Sequence, residues 1–460
     1  MTKLQSLNPS KNYELIGEVE MSYQADVKNA VLDAKSAQKM WSDLSIEQRC
    51  AHIKDFTDIC EKHSADIAQL MILETGRSNS SALDNVQGGI DFFNKYIDTA
   101  PDFFKPKITF ENEKEIHRVF QEPYGVVAAI CPWNYPFMNV AWQCGQSLLA
   151  GNTIVYKNSQ ENPLFAKYLK ELIEQSTMPK GVFNILIGDA QVGKWMIREE
   201  IDFISFTGST NTGKELTKIA ADKFIPIISE LGGSAPLVIF DDIQVNDELI
   251  EHIWSRRFSD AGQSCDAVKR LIVHEDIYDD IVSRLIKLIS SKKIGDPSDD
   301  SNDMGPLISS NQLQRLEDQV QDAKVKGAKI EIGGERPELL KGAYFLPTII
   351  TDVVKEMKIW HEEVFGPVLP IVSFKSDDEA INLANDTIYG LGAHVMTKDK
   401  DRFNKLAKEI KSGMIGQNTV MFWGTENPFG GYKQSGMGRV HGDYGFSEVT
   451  QVKLICEEKQ

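Results

Sequence analysis

Cys265 lies in GQSC (262–265), a glycine-containing polar turn between a helical segment and an apolar run. A thiolate is nucleophilic, and a local positive potential activates it. Glu230 follows the apolar stretch FIPIIS (224–229) and opens ELGG (230–233), whose glycines let the backbone approach a ligand closely. A carboxylate at a strand end of this kind suits a general base. Asn134 stands in PWNYPF (132–137), a turn stiffened by Pro132 and Pro136. An amide held there can donate to a developing oxyanion, an effect worth ~2.7–4 kcal/mol. In FTGST (206–210), Gly208 and Ser209 would offer backbone N–H groups and a helix dipole to a pyrophosphate. Each motif alone also has a plainer reading. A free cysteine is usually a small buried apolar residue. A lone strand-end glutamate usually faces solvent, an asparagine often bonds its own turn, and strand–glycine–helix junctions are common.

These residues need a scaffold, and the hydrophobic periodicity supplies one. Residues 26–100 read as helices: Ala30, Ala34, Ala37 and Trp41 recur at helical spacing, as do Ile53, Phe56, Ile59 and Cys60. From residue 125 short apolar runs at 125–130, 153–157, 182–186 and 201–206 alternate with helical candidates around 139–150, 163–176, 190–199 and 210–221. That alternation predicts parallel βαβ units and a nucleotide-binding sheet. A second series has strands at 236–240, 270–274 and 414–418 and helices at 246–261, 276–293 and 309–326. Two segments fit neither series. ITFENEKEIHRVF (108–120) reads as a hairpin with a polar turn at Glu111–Lys114, and the end of the chain, SEVTQVKLI, reads as a strand. They form an oligomerisation sheet together, or each edges its own domain; pattern does not choose.

The 460 residues are 42% hydrophobic and 25% charged, ordinary for a globular enzyme of two or three domains. The net charge of −17, with Lys and Arg interspersed among acids, argues against nucleic acid as a partner. The six cysteines show no C-x-x-C pair, so neither a disulfide scaffold nor a zinc site is expected. His361 precedes Glu362 but lacks a partner at metal spacing, and no metal is expected. The first 20 residues lack an apolar h-region, and no run of 18 apolar residues occurs. No membrane partner is expected, and the expected location is cytoplasmic.

Read in order, PWNYPF, AGNTIVYKNSQENP (150–163), FTGST, ELGG, GQSC, EEVFGPV (362–368) and NPFGGYKQSG (427–436) resemble the successive motifs of the aldehyde dehydrogenase superfamily, from about residue 7 to 455. The resemblance implies an α/β fold of two Rossmann-like parallel-sheet domains plus a small β oligomerisation domain. The corresponding boundaries are 1–107 and 124–231 for nucleotide binding, 232–425 for catalysis, and 108–123 with 426–460 for oligomerisation. It implies oxidation of an aldehyde to an acid through a cysteine thiohemiacetal and thioester, with NAD(P)+ as hydride acceptor. Cys265 matches the nucleophile, Asn134 and the Cys265 backbone N–H the oxyanion hole, and Glu230 the deacylating base. Lys157 and Glu363 match ligands of the two riboses, and Trp133, Gly208, Ser209 and Phe365 match the cofactor cleft. A homodimer or homotetramer is implied.

Three positions depart from the family pattern. Gln160 stands where members favouring NAD usually carry Glu; a neutral amide does not repel a 2′-phosphate, so acceptance of NADP+ is expected. Val440 stands where many members have a glutamate assisting proton relay. Asp266 follows the nucleophile where many relatives are small or apolar. It either turns away from the substrate tunnel, or its charge raises the Cys265 pKa and disfavours anionic aldehydes.

Phe137, Met138, Trp142, Trp423 and Phe429 are the expected tunnel walls, suited to an aliphatic or aromatic aldehyde. Chain length and the AVKR run after the nucleophile resemble the succinate-semialdehyde branch, although no basic pair for its carboxylate is evident. A coenzyme A-acylating enzyme would lack Glu230. A non-phosphorylating glyceraldehyde-3-phosphate enzyme would need basic residues for the phosphate. An inactivated binding scaffold is opposed by the intact Cys265, Glu230 and Asn134.

Overall fold

Alternating apolar strands and amphipathic helices assemble, in the computed structural model describing residues 2–459, into two parallel sheets that face each other across a cleft. The first has the order Gly436–Met437, Ile227–Glu230, Phe203–Thr207, Val126–Ile130, Thr153–Lys157, Phe183–Leu186. Its five longer strands are parallel, and the two-residue strand is antiparallel to Ile227–Glu230. The strand order reverses direction between Val126–Ile130 and Phe203–Thr207. Ligands of doubly wound sheets bind at that switch point, beyond the carboxyl ends of the strands. The two turns leaving those ends carry Trp133 and Asn134 on one side and Gly208 and Ser209 on the other.

The central strand VVAAI has no polar side because helices cover both faces of the sheet. Val126 and Ala128 point to a layer with Val27, Val31 and Ala34 of helix Gln24–Asp43. Val127 and Ala129 point to the opposite layer, built on Phe56, Phe93 and Tyr96. The helix expected over 139–150 is divided: Pro136–Val140 and Gln146–Ala150 are α-helical, and Ala141–Gly145 between them is a π-turn. Such turns break the side-chain register of a helix, and this one carries Trp142.

The second sheet runs Lys329–Ile332, Thr348–Thr351, Val368–Phe374, Val268–His274, Ala235–Ile239, Gly392–Met396, Met414–Gln417. All neighbours are parallel except the first pair. Cys265 lies between helix Asp247–Phe258 and strand Val268–His274. The sequence pattern does not reveal the amino-terminal pair Lys3–Asn8 and Glu14–Glu20.

The hairpin expected over 108–120 is Lys107–Glu111 and Glu115–Pro123, turned by Asn112, whose side chain accepts from the N–H groups of Lys114 and Glu115. Strand Thr450–Glu458 completes a three-stranded sheet along it. Residues 426–449 do not join this small sheet: Gly436–Met437 extends the first sheet, and Phe429, Val440, Phe446 and Val449 enter its core. Those apolar side chains find a buried surface there and none on an exposed three-stranded ribbon.

Candidate active site

Cys265 lines two cavities at once. One, of ≈ 170 Å³, is walled by Trp133, Asn134, Gly208, Ser209, Glu230, Glu363 and Phe365, among others. The other, of ≈ 120 Å³, is walled by Phe92, Tyr135, Met138, Trp142, Arg256, Asp266, Trp423, Phe429 and His441, among others. Tyr135, Trp142 and the thiol separate them. The first side takes in the switch point and has the character of a nucleotide cleft. The second is narrow and aromatic, with Trp142 stacked on Phe429 at 5.8 Å and edge-on to Phe92 at 5.5 Å. Phe137 belongs to neither: it is fully buried and packs on Gly89, where a Cβ would meet its ring at 2.5 Å.

The loop before Cys265 is built to hold one shape. Asp260, Ala261 and Gly262 all have positive φ (50°, 54° and 72°), a sequence of left-handed residues that is costly for two of them. Buried contacts compensate. Arg77 forms an ion pair with Asp260 and lies 4.2 Å over the Tyr135 ring. Gln263 donates to the Asp260 carbonyl at 3.1 Å and accepts from the Ile308 N–H at 2.9 Å. Asn134 Nδ2 donates to the Gln263 carbonyl at 3.1 Å, two residues before the thiol. The amide of Asn134 is thereby placed beside the Cys265 turn.

Lys269 Nζ donates to the Cys265 carbonyl at 2.8 Å and to Glu363 Oε1 at 2.7 Å, and stands 5.4 Å from the Phe365 ring centre. Glu363 Oε1 also accepts from the Gly233 N–H at 3.0 Å. Gly232 must be bare, since a Cβ there would come within 2.4 Å of the Glu363 carboxylate. Trp133 and Phe365 meet edge to face at 5.7 Å across the cleft.

Burial pushes the Cys265 thiol well above its ordinary pKa; Asp266 adds to this and Lys269 opposes it. Burial likewise drives Glu230 well up, opposed by Arg439. Neither Glu230 oxygen has a protein partner, and Gly430 closes over Oε1. Burial thus disfavours the charged form of both groups, and two negative charges buried together in one cavity would be costly. Asp266 does not turn away from the tunnel, one of its two expected orientations. It faces the narrow cavity, paired with Arg256 at 3.3 Å.

Lys157 ends its strand buried, its ammonium donating to the Asn158 carbonyl at 2.8 Å, and burial lowers its pKa to about 8. Gln160 is exposed in the turn beyond. Both lie past the walls of the two cavities, at the carboxyl end of strand Thr153–Lys157 beside that of Val126–Ile130. Ser209 caps helix Thr210–Lys223, accepting from the Thr212 N–H at 3.3 Å. Among the residues that escaped the sequence reading are Arg77, Arg256, Lys269 and His441. The glycine–arginine pair after helix Ser64–Thr75 was a signal for Arg77, and the Arg256–Arg257 doublet one turn before GQSC was a signal for Arg256. Nothing in the local sequence marked His441.

A family model described as the aldehyde dehydrogenase family matches residues 1–455. The chain belongs to the aldehyde dehydrogenase family. It is 35% identical over 98% of its length to aminoaldehyde dehydrogenase 1, peroxisomal, of Pisum sativum, spanning 92% of that protein. It is 34% identical over 98% of its length to the mitochondrial succinate-semialdehyde dehydrogenase of Oryza sativa subsp. japonica, spanning 85% of it. Among solved structures, betaine aldehyde dehydrogenase of Staphylococcus aureus in complex with NAD+ is 34% identical with a TM-score of 0.94, covering 99% of this chain and 91% of that one. An E. coli NADP-dependent enzyme, 31% identical, superposes with a TM-score of 0.95 over 100% of this chain and 95% of that one. The fold is that of these solved structures, and the chain is an aldehyde dehydrogenase-family enzyme.

Proposed function

We propose that this enzyme oxidises an aliphatic or aromatic aldehyde to the free acid with NAD+ as hydride acceptor, on the residues gathered at Cys265. The observation that carries this reading is the position of Cys265 between a nucleotide-type cleft and an aromatic cavity, with Glu230 and Asn134 beside it on the cleft side.

The residues present fit the cofactor. The switch-point turns are bare at Gly208, the helix that starts at Thr210 points its N-terminus at the cleft, and Thr207 Oγ1 is buried with no partner. Trp133, Gly208, Ser209, Glu363 and Phe365 would hold it on the thiol side, with Lys157 and Gln160 towards its far end. When bound, the cofactor supplies the acceptor for the substrate's hydride and a positive charge near the thiol. The exposed, uncharged Gln160 supports use of NADP+ as well.

Cys265 first gives up its thiol proton to solvent through the cleft; Sγ, as thiolate, then adds to the aldehyde carbon, and the carbonyl π pair moves to oxygen to leave a thiohemiacetal oxyanion. Asn134 Nδ2 and the Cys265 backbone N–H stabilise that oxygen. After loss of hydride the acid is held as a thioester on Cys265. Glu230 takes a proton from water, the resulting hydroxide adds to the thioester carbon, and the thiolate leaves. Its unpartnered carboxyl is free for that proton, and its presence favours release of an acid over transfer to a second thiol.

A second reading, succinate semialdehyde as substrate, is favoured by Arg256, a basic residue in the aromatic cavity whose Nε has no partner. The rice relative carries that name. For the quaternary state we propose self-association through the small sheet, supported by exposed Ile108, Phe110, Val452 and Leu454 and by its unpaired edge strand. The expected cytoplasmic location is kept as a proposal; no helix among the described residues is long and apolar enough to cross a membrane.

The test is NADH and NADPH formation over an aldehyde panel with Cys265→Ala as control. Turnover that vanishes in the variant supports the reading. Turnover that survives it, or requires coenzyme A, overturns it.

A further inference from the structure

The far wall of the aromatic cavity carries two opposite charges that meet inside it. Arg256, from the last turn of helix Asp247–Phe258, places Nη2 3.3 Å from Asp266 Oδ2, and each side chain is only 16% exposed. Ser264 Oγ–H donates to the other Asp266 oxygen. Arg256 Nη2 also reaches His394 Nε2 at 3.4 Å, and His394 is stacked on Phe422 at 4.8 Å. Burial and then Arg256 hold His394 neutral, with a pKa lowered to about 3. Burial pushes Asp266 up, but Arg256 first, then the Ser264 hydroxyl and Lys269, pull it down, and the carboxyl stays ionised. The wall is therefore one cation and one anion with a neutral histidine behind them. Around it stand Tyr135, Trp142, Trp423 and Phe429.

We propose that the Arg256–Asp266 pair sets the charge class of the aldehyde: it keeps the substrate cavity electroneutral, and each partner alone would recruit the opposite charge. This rests on the reading of the aromatic cavity as the substrate side of Cys265. A carboxylate arriving at Arg256 meets the negative charge of Asp266 alongside it. An ammonium arriving at Asp266 meets the guanidinium. Either must displace a buried partner and leave it unpaired, which is costly. An uncharged tail meets only aromatic faces and an ion pair whose charges already neutralise each other. Discrimination here comes from the repulsive partner as much as from the attractive one.

The experiment compares kcat/KM for three aldehydes of one chain length: butyraldehyde, succinate semialdehyde and 4-trimethylammoniobutyraldehyde. It uses the native enzyme, Asp266→Asn, Arg256→Met and the double variant. Ratios between substrates are the readout, because any effect of Asp266 on the thiol is common to all three. The native enzyme is expected to prefer butyraldehyde. Asp266→Asn should raise the succinate semialdehyde ratio by on the order of tenfold, Arg256→Met the trimethylammonium ratio by a similar factor, and the double variant should restore the neutral preference. A native preference for either charged aldehyde, or unchanged ratios in variants with native melting curves, overturns the proposal while leaving the aldehyde reading intact. Absence of turnover on every aldehyde, or survival of turnover in Cys265→Ala, would instead remove the reading on which it rests. If the variants do not fold, inhibition of the native enzyme by butyramide, succinamate and 4-trimethylammoniobutyramide decides. Tightest binding of butyramide supports the proposal, and tightest binding of a charged amide overturns it.

Discussion

Arg77 Nη1 donates to the backbone carbonyl of Asn134 at 2.6 Å, while the same guanidinium pairs with Asp260 in the loop that presents Cys265. One buried side chain from the amino-terminal helices thus ties the candidate oxyanion donor of the first sheet to the nucleophile loop of the second. Arg77→Met leaves Asp260 buried and unpaired, so a stability loss of about 3–5 kcal/mol is expected in urea unfolding. The nucleophile shifts with its loop, and kcat should fall on the order of 10²-fold. Arg77→Lys keeps the charge but not the forked contact, and should recover little of either.

Asn134→Ala removes the side-chain donor and leaves the Gln263 carbonyl without it. Loss of an oxyanion donor predicts a fall in kcat of ~10²–10³. Cofactor affinity, measured by fluorescence titration, should change little. An equal fall in affinity would mean that Asn134 shapes the nucleotide cleft instead.

Glu230→Gln should spare the first half-reaction and stop the second. Rapid mixing is expected to show a burst of NADH near one equivalent per site, followed by turnover reduced by at least about 10²-fold. In the native enzyme the carboxyl is raised by burial, so the base form appears only at a pH above the ordinary carboxylate range. Deacylation should therefore rise with pH through that raised value, and the acidic limb of the kcat profile should disappear in the variant.

Glu74 is a buried carboxyl at the start of helix Pro163–Gln175, accepting from the N–H groups of Leu164 and Phe165 at 2.9 Å each and from Ser6 Oγ at 2.6 Å. Burial outweighs these donors and raises its pKa from 4.5 to about 7. The folded state then binds a proton that the unfolded state releases. Its contribution to stability is fully present below pH 4.5 and is lost as pH rises through about 7. Melting curves should show this decline in the native protein and a flatter dependence in Glu74→Gln.

Leu454→Glu places a charge on the exposed strand of the small sheet, where Leu454 is 56% exposed in the single chain. If that sheet docks a second copy, sedimentation should show a smaller species for the variant at unchanged helix content. An unchanged mass would place the interface elsewhere.

Much of this molecule was legible in the chain. The runs VVAAI and TIVYK read as buried parallel strands because each is short and largely apolar on both faces, and that is visible locally in the chain. Cys265, Asn134, Gly208 and Ser209 stood out because each sits in a turn with glycines or prolines, and Glu230 because it ends a strand just before two glycines. What stayed hidden depends on contacts distant in sequence. Arg77 and Asp260 are 183 residues apart, and Tyr96 meets His441 across 345. The strand Gly436–Met437 is too short for any pattern and exists only because Ile227–Glu230 offers an edge. Asp266 shows the division most clearly. The sequence determined that a carboxylate follows Cys265. Only the packing of helix Asp247–Phe258 against that turn decided that an arginine neutralises it, because charge compensation acts through space and not along the chain.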